Sequence, residues 1–240
     1  MQESDTSTML KIVVTFAVHA EFAPWRRMLH SAPVGDARVN VVMTGVGARS
    51  VQSRLREALQ DADICIATGL AGALKKQHAP GAILVAKAVK SSETQQEVRS
   101  DPSLVQMAAE SGAVAVDYFL TSNVVVNSPT EKLRIGTSAD AVEMESFHVL
   151  NYAEHMGVPG VAVRAISDGA ETEVPIDFNK VIDRYGEISR TATLREITKV
   201  PNRVPQLIRF GLESSRARRS LAHFLDVYVR TVSVALAEAR

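Results

Sequence analysis

The feature that most constrains this chain is a regular alternation of short apolar, β-branched runs with helical stretches. Residues 11–18, 39–44, 64–68, 83–89 and 114–120 read as strands, and 124–126 as a further short one. Between them, residues 20–29, 48–59, 102–110 and 145–155 read as helices. Asp101 is placed to cap the third of these, and Gly157 and Pro159 stop the fourth. Pro80 and Gly81 mark the turn into the strand at 83–89. Strands separated by helices predict an α/β fold: a parallel or mixed sheet covered on both faces.

Length and charge narrow the function classes. The 240 residues suffice for one domain with a sizeable core, so 1–240 is read as a single unit, with 1–8 a polar, disordered start. Lys and Arg number 27, as do Asp and Glu, so no net field draws the chain to nucleic acid. Cys65, inside an apolar run, reads as a buried thiol. With no uninterrupted apolar run of membrane length and no apolar leader, a soluble cytoplasmic protein is the expectation. No metal-ligand spacing and no nucleophile elbow occur, so neither metal nor cofactor is expected, apart from phosphate as a co-substrate.

Carboxylates at predicted strand ends carry the chemistry. Glu143, Met144 and Glu145 close a short apolar run and open a helix, and Asp168 follows the apolar run at 158–166. Neighbouring strand ends in an α/β sheet face one crevice. Acids gathered there can hold sugar hydroxyls and protonate a leaving group. Glu21 follows the first strand, beside His19. The turns Thr44-Gly45-Val46-Gly47 and Thr68-Gly69-Leu70-Ala71-Gly72 also follow strands, where glycine lets backbone N–H groups approach a ligand. Neither turn matches a dinucleotide or phosphate-loop fingerprint.

In order, Glu21, the two glycine turns, Pro80-Gly81-Ala82-Ile83, Val142-Glu143-Met144-Glu145 and Arg164-Ala165-Ile166-Ser167-Asp168 resemble the nucleoside phosphorylase and nucleosidase superfamily. They are most similar to methylthioadenosine/S-adenosylhomocysteine nucleosidases. The resemblance implies a three-layer α/β/α sandwich around a mixed, partly closed sheet. It implies cleavage of a purine N-glycosidic bond, with adenine the expected base, by water or phosphate. It assigns Asp168 to the leaving base, Glu145 to the ribose hydroxyls and Met144 to the underside of the sugar. Glu143 becomes a further ribose or base contact, and Glu21 the activator of water. Gly45, Gly69, Ala71 and Gly72 fall in its substrate-binding turns. A buried Asp168 among carboxylates is expected to have a raised pKa, which suits a general acid.

Departures from the pattern are specific. Leu70 replaces a usual serine, Ala73 a common glycine and Val125 the aromatic that stacks on adenine, leaving Ser122 and Asn123 near the base edge. No arginine-bearing phosphate motif is visible at 68–72, although Arg26 or Arg49 offers a substitute, so hydrolysis and phosphorolysis both stay open. Glu21 favours hydrolysis. Helices are expected at 206–213 and 219–239, in a 201–240 extension whose seven arginines against Glu213, Asp226 and Glu238 give seven minus three, or +4. The segment at 202–209 resembles the tail of hopanoid-associated phosphorylases, which implies adenine release from an adenosylated lipid and contact of this extension with a lipid or membrane surface. The superfamily implies a homo-oligomer. A nucleoside-binding protein without turnover is the alternative of another class, disfavoured by retention of Glu21, Glu145 and Asp168 together.

Overall fold

The computed structural model describes residues 9–31, 37–48, 50–183, 186 and 189–238. The expected disordered start and Arg49 lie outside them. Eight strands form one sheet: β1 Leu10–Phe16, β2 Ala37–Met43, β3 Ile64–Ala73, β4 Ile83–Ser91, β5 Glu97–Arg99, β6 Val114–Thr121, β7 Ala141–Glu143 and β8 Gly160–Asp168. The helices are α1 His19–Ser31, α2 Val51–Gln60, α3 Pro102–Glu110, α4 Pro129–Ile135, α5 Ser146–His155, α6 Arg190–Thr198 and α7 Val204–Glu238.

The sheet is mixed and closes on part of its width. β3 runs parallel to β8, β8 antiparallel to β4, β4 parallel to β6, β6 parallel to β7, and β7 antiparallel to the end of β3. Those five strands make a ring. β1 and β2 extend from β3 as a parallel arm, and β5 hangs on β4. β3 serves three partners: one edge pairs with β1 over Ile64–Ala67 and then with β7 at Gly72 and Ala73, while the other follows β8 as far as Gly72, with a register shift between Ala71 and Gly72. A bulge of this kind bends a strand and re-aims its side chains, which is how barrels turn corners.

The period of two in β1 assigns the layers. Ile12, Val14 and Phe16 pack with Trp25, Leu104, Leu221, Leu225 and Tyr228, on the side of α1, α3 and α7. Val13 faces the opposite cluster with Leu55, Cys65, Phe147 and Leu150, on the side of α2 and α5. Cys65 is fully buried, and that burial pushes its thiol up to about 12, so it is packing and not chemistry. Asp101 caps α3 as the sequence indicates, accepting the Ser103 and Leu104 N–H groups at 2.9 and 3.0 Å, with Pro102 at the first helical position.

Two readings need correction. Residues 124–126 are a loop and not a strand. Their backbone is pinned by Asn179, which accepts the Val125 N–H at 2.8 Å and donates to the Val125 carbonyl at 3.2 Å. The two expected C-terminal helices are one, α7, about 52 Å long at 1.5 Å per residue. The gap at 214–218 holds no proline, so no backbone donor is lost and the helix runs through it. The most apolar 18-residue window within Pro201–Glu238 has a mean hydropathy of 1.2, and 44% of it is buried. The stripe from Ala217 to Val232 packs against β8 and α1.

Candidate active site

The ends of β1, β3, β7 and β8 converge on a cavity of 540 Å³. Glu21, Ala71, Gly72, Val125, Glu143, Met144, Glu145 and Asp168 all line it.

Arg164 organises the polar floor. It sits on β8 with its side chain 1% exposed. One terminal nitrogen, Nη2, pairs with Glu143 and reaches Ser146 Oγ at 2.9 Å. The other, Nη1, lies 3.2 Å from Glu145 Oε2, and Nε bonds Ser146 Oγ at 3.1 Å. Burial alone would lower the Arg164 pKa, but Glu143, Glu145 and Glu21 outweigh it and raise it. Three carboxylates thus share one guanidinium. The motif Arg164-Ala165-Ile166-Ser167-Asp168 assigns Arg164 no role on its own. The available signal was a charge inside an otherwise apolar strand, which must find buried partners.

The three carboxylates are held differently. Glu143 is engaged on both oxygens: Oε1 by Thr121 Oγ1, and Oε2 by Arg164 and by the N–H groups of Glu145 and Ser146 at 2.9 and 2.7 Å. It therefore anchors the start of α5 while still lining the cavity. Glu145 accepts the Gly47 N–H on Oε1 at 3.0 Å. Its pKa is pushed up to about 7, by burial first, with Arg164 opposing and Glu143 and Glu21 adding to the rise. Glu21 accepts the Ala17 N–H on Oε2 and the Leu70 N–H on Oε1, each at 3.1 Å. Burial raises its pKa against the opposing pull of Arg164 and of the backbone donors.

Gly69 is required by this arrangement. Its φ is +146°, and a Cβ there would lie 2.5 Å from Arg164 Nη1 and 3.1 Å from Glu21 Oε2. Gly69 thus clears space beneath the cavity without lining it. Gly45 is also absent from the lining. With φ at +76° it makes the turn after β2, and its N–H goes to the Ala17 carbonyl. Gly47, two residues on, is the one that reaches the site, through Glu145. Asn123 is exposed and faces a neighbouring cavity of 710 Å³ that shares Val46, Met144 and Ile182 with the first. Arg26 is exposed on α1 and lines neither cavity.

Asp168 ends β8, 5% exposed. Its charged partner is the ammonium of Lys132, which engages Oδ2, rather than a neighbouring carboxylate as expected. Ser167 Oγ lies 2.6 Å from Oδ1. A Cβ on Gly72 would sit 3.1 Å from Oδ2, so glycine there lets Asp168 lie across β3. Lys132 belongs to α4, which the sequence reading passed over, although Ser128-Pro129 is a helix-start signal.

Beyond this polar floor the cavity is apolar. Val174, Ile176, Phe178, Ile197, Leu207 and Phe210 form its far wall, drawn from the post-β8 segment, α6 and α7. The structure therefore offers acids at one end and a hydrocarbon-like surface at the other.

The chain and its fold are similar to known proteins. Over 110 residues, 46% of this chain, the sequence is 30% identical to the 5′-methylthioadenosine/S-adenosylhomocysteine nucleosidase of Shewanella halifaxensis strain HAW-EB4, a match that spans 43% of that enzyme's length. The structure is similar to the same kind of nucleosidase from Neisseria meningitidis in complex with methylthio-immucillin-A. There the TM-score is 0.69 at 18% identity, covering 92% of this chain and 99% of that one. It is also similar to futalosine hydrolase of Helicobacter pylori strain 26695, with a TM-score of 0.66 at 18% identity over 93% and 99%. The family model of the phosphorylase superfamily matches residues 16–197. The chain belongs to the phosphorylase superfamily.

Proposed function

We propose that this protein is a purine nucleosidase, releasing a base, adenine by preference, from a ribosyl compound by hydrolysis. The observation that carries the reading is the convergence of Glu21, Glu145 and Asp168 on one cavity. Breaking an N-glycosidic bond builds positive charge on the sugar and negative charge on the base. Carboxylates beneath the sugar stabilise the first, and a proton from Asp168 to N7 of the purine quenches the second. Glu145 grips the ribose hydroxyls, with Met144 beneath the ring. Glu21, its pKa raised by burial, takes a proton from the water that attacks C1′. The electron pair of the C1′–N9 bond leaves with the base.

Water is favoured over phosphate by the charges on hand. Arg164 is already committed to carboxylates. Arg164 lies beneath the cavity, and among the described residues lining it Arg218 is the one cation. The test is base release from adenosine, methylthioadenosine, S-adenosylhomocysteine and inosine, with and without phosphate, followed by mass spectrometry. Free base with free ribose, independent of phosphate, is expected. Ribose-1-phosphate formed only with phosphate overturns hydrolysis, and binding without turnover favours a nucleoside-binding protein.

The apolar far wall supports a second reading, in which the substrate carries a long hydrocarbon at its 5′ end, as in adenosylated hopanes. Exposed Ile208 and Leu212 lie on α7 next to the lining residues Leu207 and Phe210, a surface suited to a lipid–water boundary. Under this reading a lipid-linked adenosine in vesicles is cleaved with a kcat/KM at least about 10-fold above that for methylthioadenosine, each buried CH₂ contributing about 0.8 kcal/mol. Equal values for the two substrates count against it.

A further inference from the structure

We propose that Lys132 is a positioning residue for Asp168, holding its carboxylate in the orientation from which it serves the leaving base; this rests on the nucleosidase reading above. Lys132 comes from α4, inserted between β6 and β7, and crosses to the end of β8 with its side chain 1% exposed. Its ammonium meets Asp168 Oδ2, the Gly169 carbonyl at 3.2 Å and the Thr172 carbonyl at 3.0 Å. Three donors meet three acceptors, so Lys132 has no proton left for a ligand. Asp168 lines the cavity and Lys132 does not. Whatever Lys132 contributes to chemistry, it contributes through Asp168.

Burying an ammonium is costly, and a bare structural tie between α4 and the post-β8 turn can be made with neutral groups. What a cation adds is control of a carboxylate. Lys132 and Ser167 fix Asp168 from its two oxygens, at Oδ2 and Oδ1, and each oxygen keeps a further lone-pair position for the base edge. For this step Asp168 first takes up a proton from solvent against the pull of Lys132; when the C1′–N9 electron pair departs with the purine that proton passes to N7, and the carboxylate left behind again faces its counter-ion. The hydrogen bonds to Gly169 and Thr172 hold the turn after β8, in which the Thr172 N–H also bonds the Gly169 carbonyl at 3.1 Å.

A double-mutant cycle on the full chain separates this role from simple support. The variants are Lys132→Met, Asp168→Asn and the pair together. Turnover of methylthioadenosine and thermal melting are both read. With Lys132→Met, kcat is expected to fall about 10²-fold with KM within about 3-fold, and with Asp168→Asn about 10³-fold. The double variant is expected to match Asp168→Asn within about 2-fold. In melting, Lys132→Met strands a buried carboxylate and lowers Tm by about 10 °C, and adding Asp168→Asn restores at least half of that loss. A Lys132→Met chain that fails to fold while the neutral double variant folds is the same result in stronger form. Multiplicative rate losses, or additive Tm losses, overturn the proposal, because support of the Gly169 and Thr172 carbonyls alone is independent of residue 168. Wild-type protein silent on every nucleoside retires the nucleosidase reading, and the melting cycle still decides whether Lys132 is tied to Asp168.

Discussion

Replacing Glu145 with glutamine should make the protein more stable at alkaline pH while weakening its site. Glu145 titrates at about 7 in the folded chain against an ordinary 4.5, because burial and the neighbouring Glu143 and Glu21 outweigh Arg164. A carboxyl raised on folding binds its proton more tightly in the native state. Its contribution is fully present below the unfolded value, is lost progressively as pH rises, and is gone above the folded value. The distance from 4.5 to about 7, at about 1.4 kcal/mol for each tenfold change in proton affinity, corresponds to about 3 kcal/mol between acid and alkaline pH. Glutamine is near-isosteric, can keep the Gly47 N–H bond, and carries no charge to desolvate. The assay is urea denaturation of both proteins from about pH 4 to about pH 8. Wild type should lose stability relative to Glu145→Gln across that window by about 3 kcal/mol, or about 6–12 °C in Tm for a chain of this size. Glu21, raised in the same direction, adds to the wild-type slope, and removing one repulsive neighbour reduces its share in the variant. Turnover should decline in the same variant through weaker ribose binding, a trade of activity for stability common at strained sites. A stability difference that stays constant with pH to within about 0.5 kcal/mol refutes the account of shared charge around Arg164.

Two further substitutions probe the same cluster. Arg164→Met removes the guanidinium facing Glu21, Glu143 and Glu145 and should cost about 3–5 kcal/mol, read as a fall in Tm that is smaller at acid pH. Wild-type melting at alkaline pH would sink that expectation. Gly69→Ala places a Cβ 2.5 Å from Arg164 Nη1 at a φ of +146° and should cost about 1–3 kcal/mol with a marked loss of kcat, whereas Gly112→Ala, whose Cβ meets no atom within 4 Å, should leave kcat unchanged. Equal kcat for the two variants would count against a steric role for Gly69.

What could be read from the sequence was what local pattern encodes. The strands β1, β3, β4, β6 and β8 announce themselves as apolar runs, and Asp101-Pro102 announces the start of α3, because each signal lies within a few residues of its effect. Asp168, Glu145 and Glu21 were legible as acids at strand ends. Closure of the five-strand ring was not, since it depends on β7 joining the edge of β3 that β1 leaves free beyond Ala67, a long-range pairing that leaves no compositional mark. The Lys132–Asp168 pair was missed for a related reason. The two residues are 36 positions apart, and a lysine on a short helix reads as a solvated surface charge until the fold buries it. Residues 124–126 misled in the opposite sense: three valines look like a strand, yet the partner that fixes them is the side chain of Asn179 and not another strand.

The two charge systems in the cavity are built on opposite principles, and that difference is the strongest physical argument for a division of labour. Around Arg164, three acids compete for one cation, so the cluster favours taking up a proton and is uneasy when fully ionised. Such a cluster relaxes when positive charge grows above it, as it does on a sugar losing its base. Around Asp168, one acid has one cation to itself, with Ser167 as a second donor. That pair is balanced when Asp168 is ionised, the state reached once its proton has been given away. Within the polar floor, the cluster around Arg164 is thus suited to a developing cation and the Lys132–Asp168 pair to a completed proton transfer. Exchanging the arrangements would oppose both steps. A protein that only binds nucleosides gains nothing from holding its acids in these two different states. A protein that breaks the bond between sugar and base needs both at once, on either side of the scissile atom.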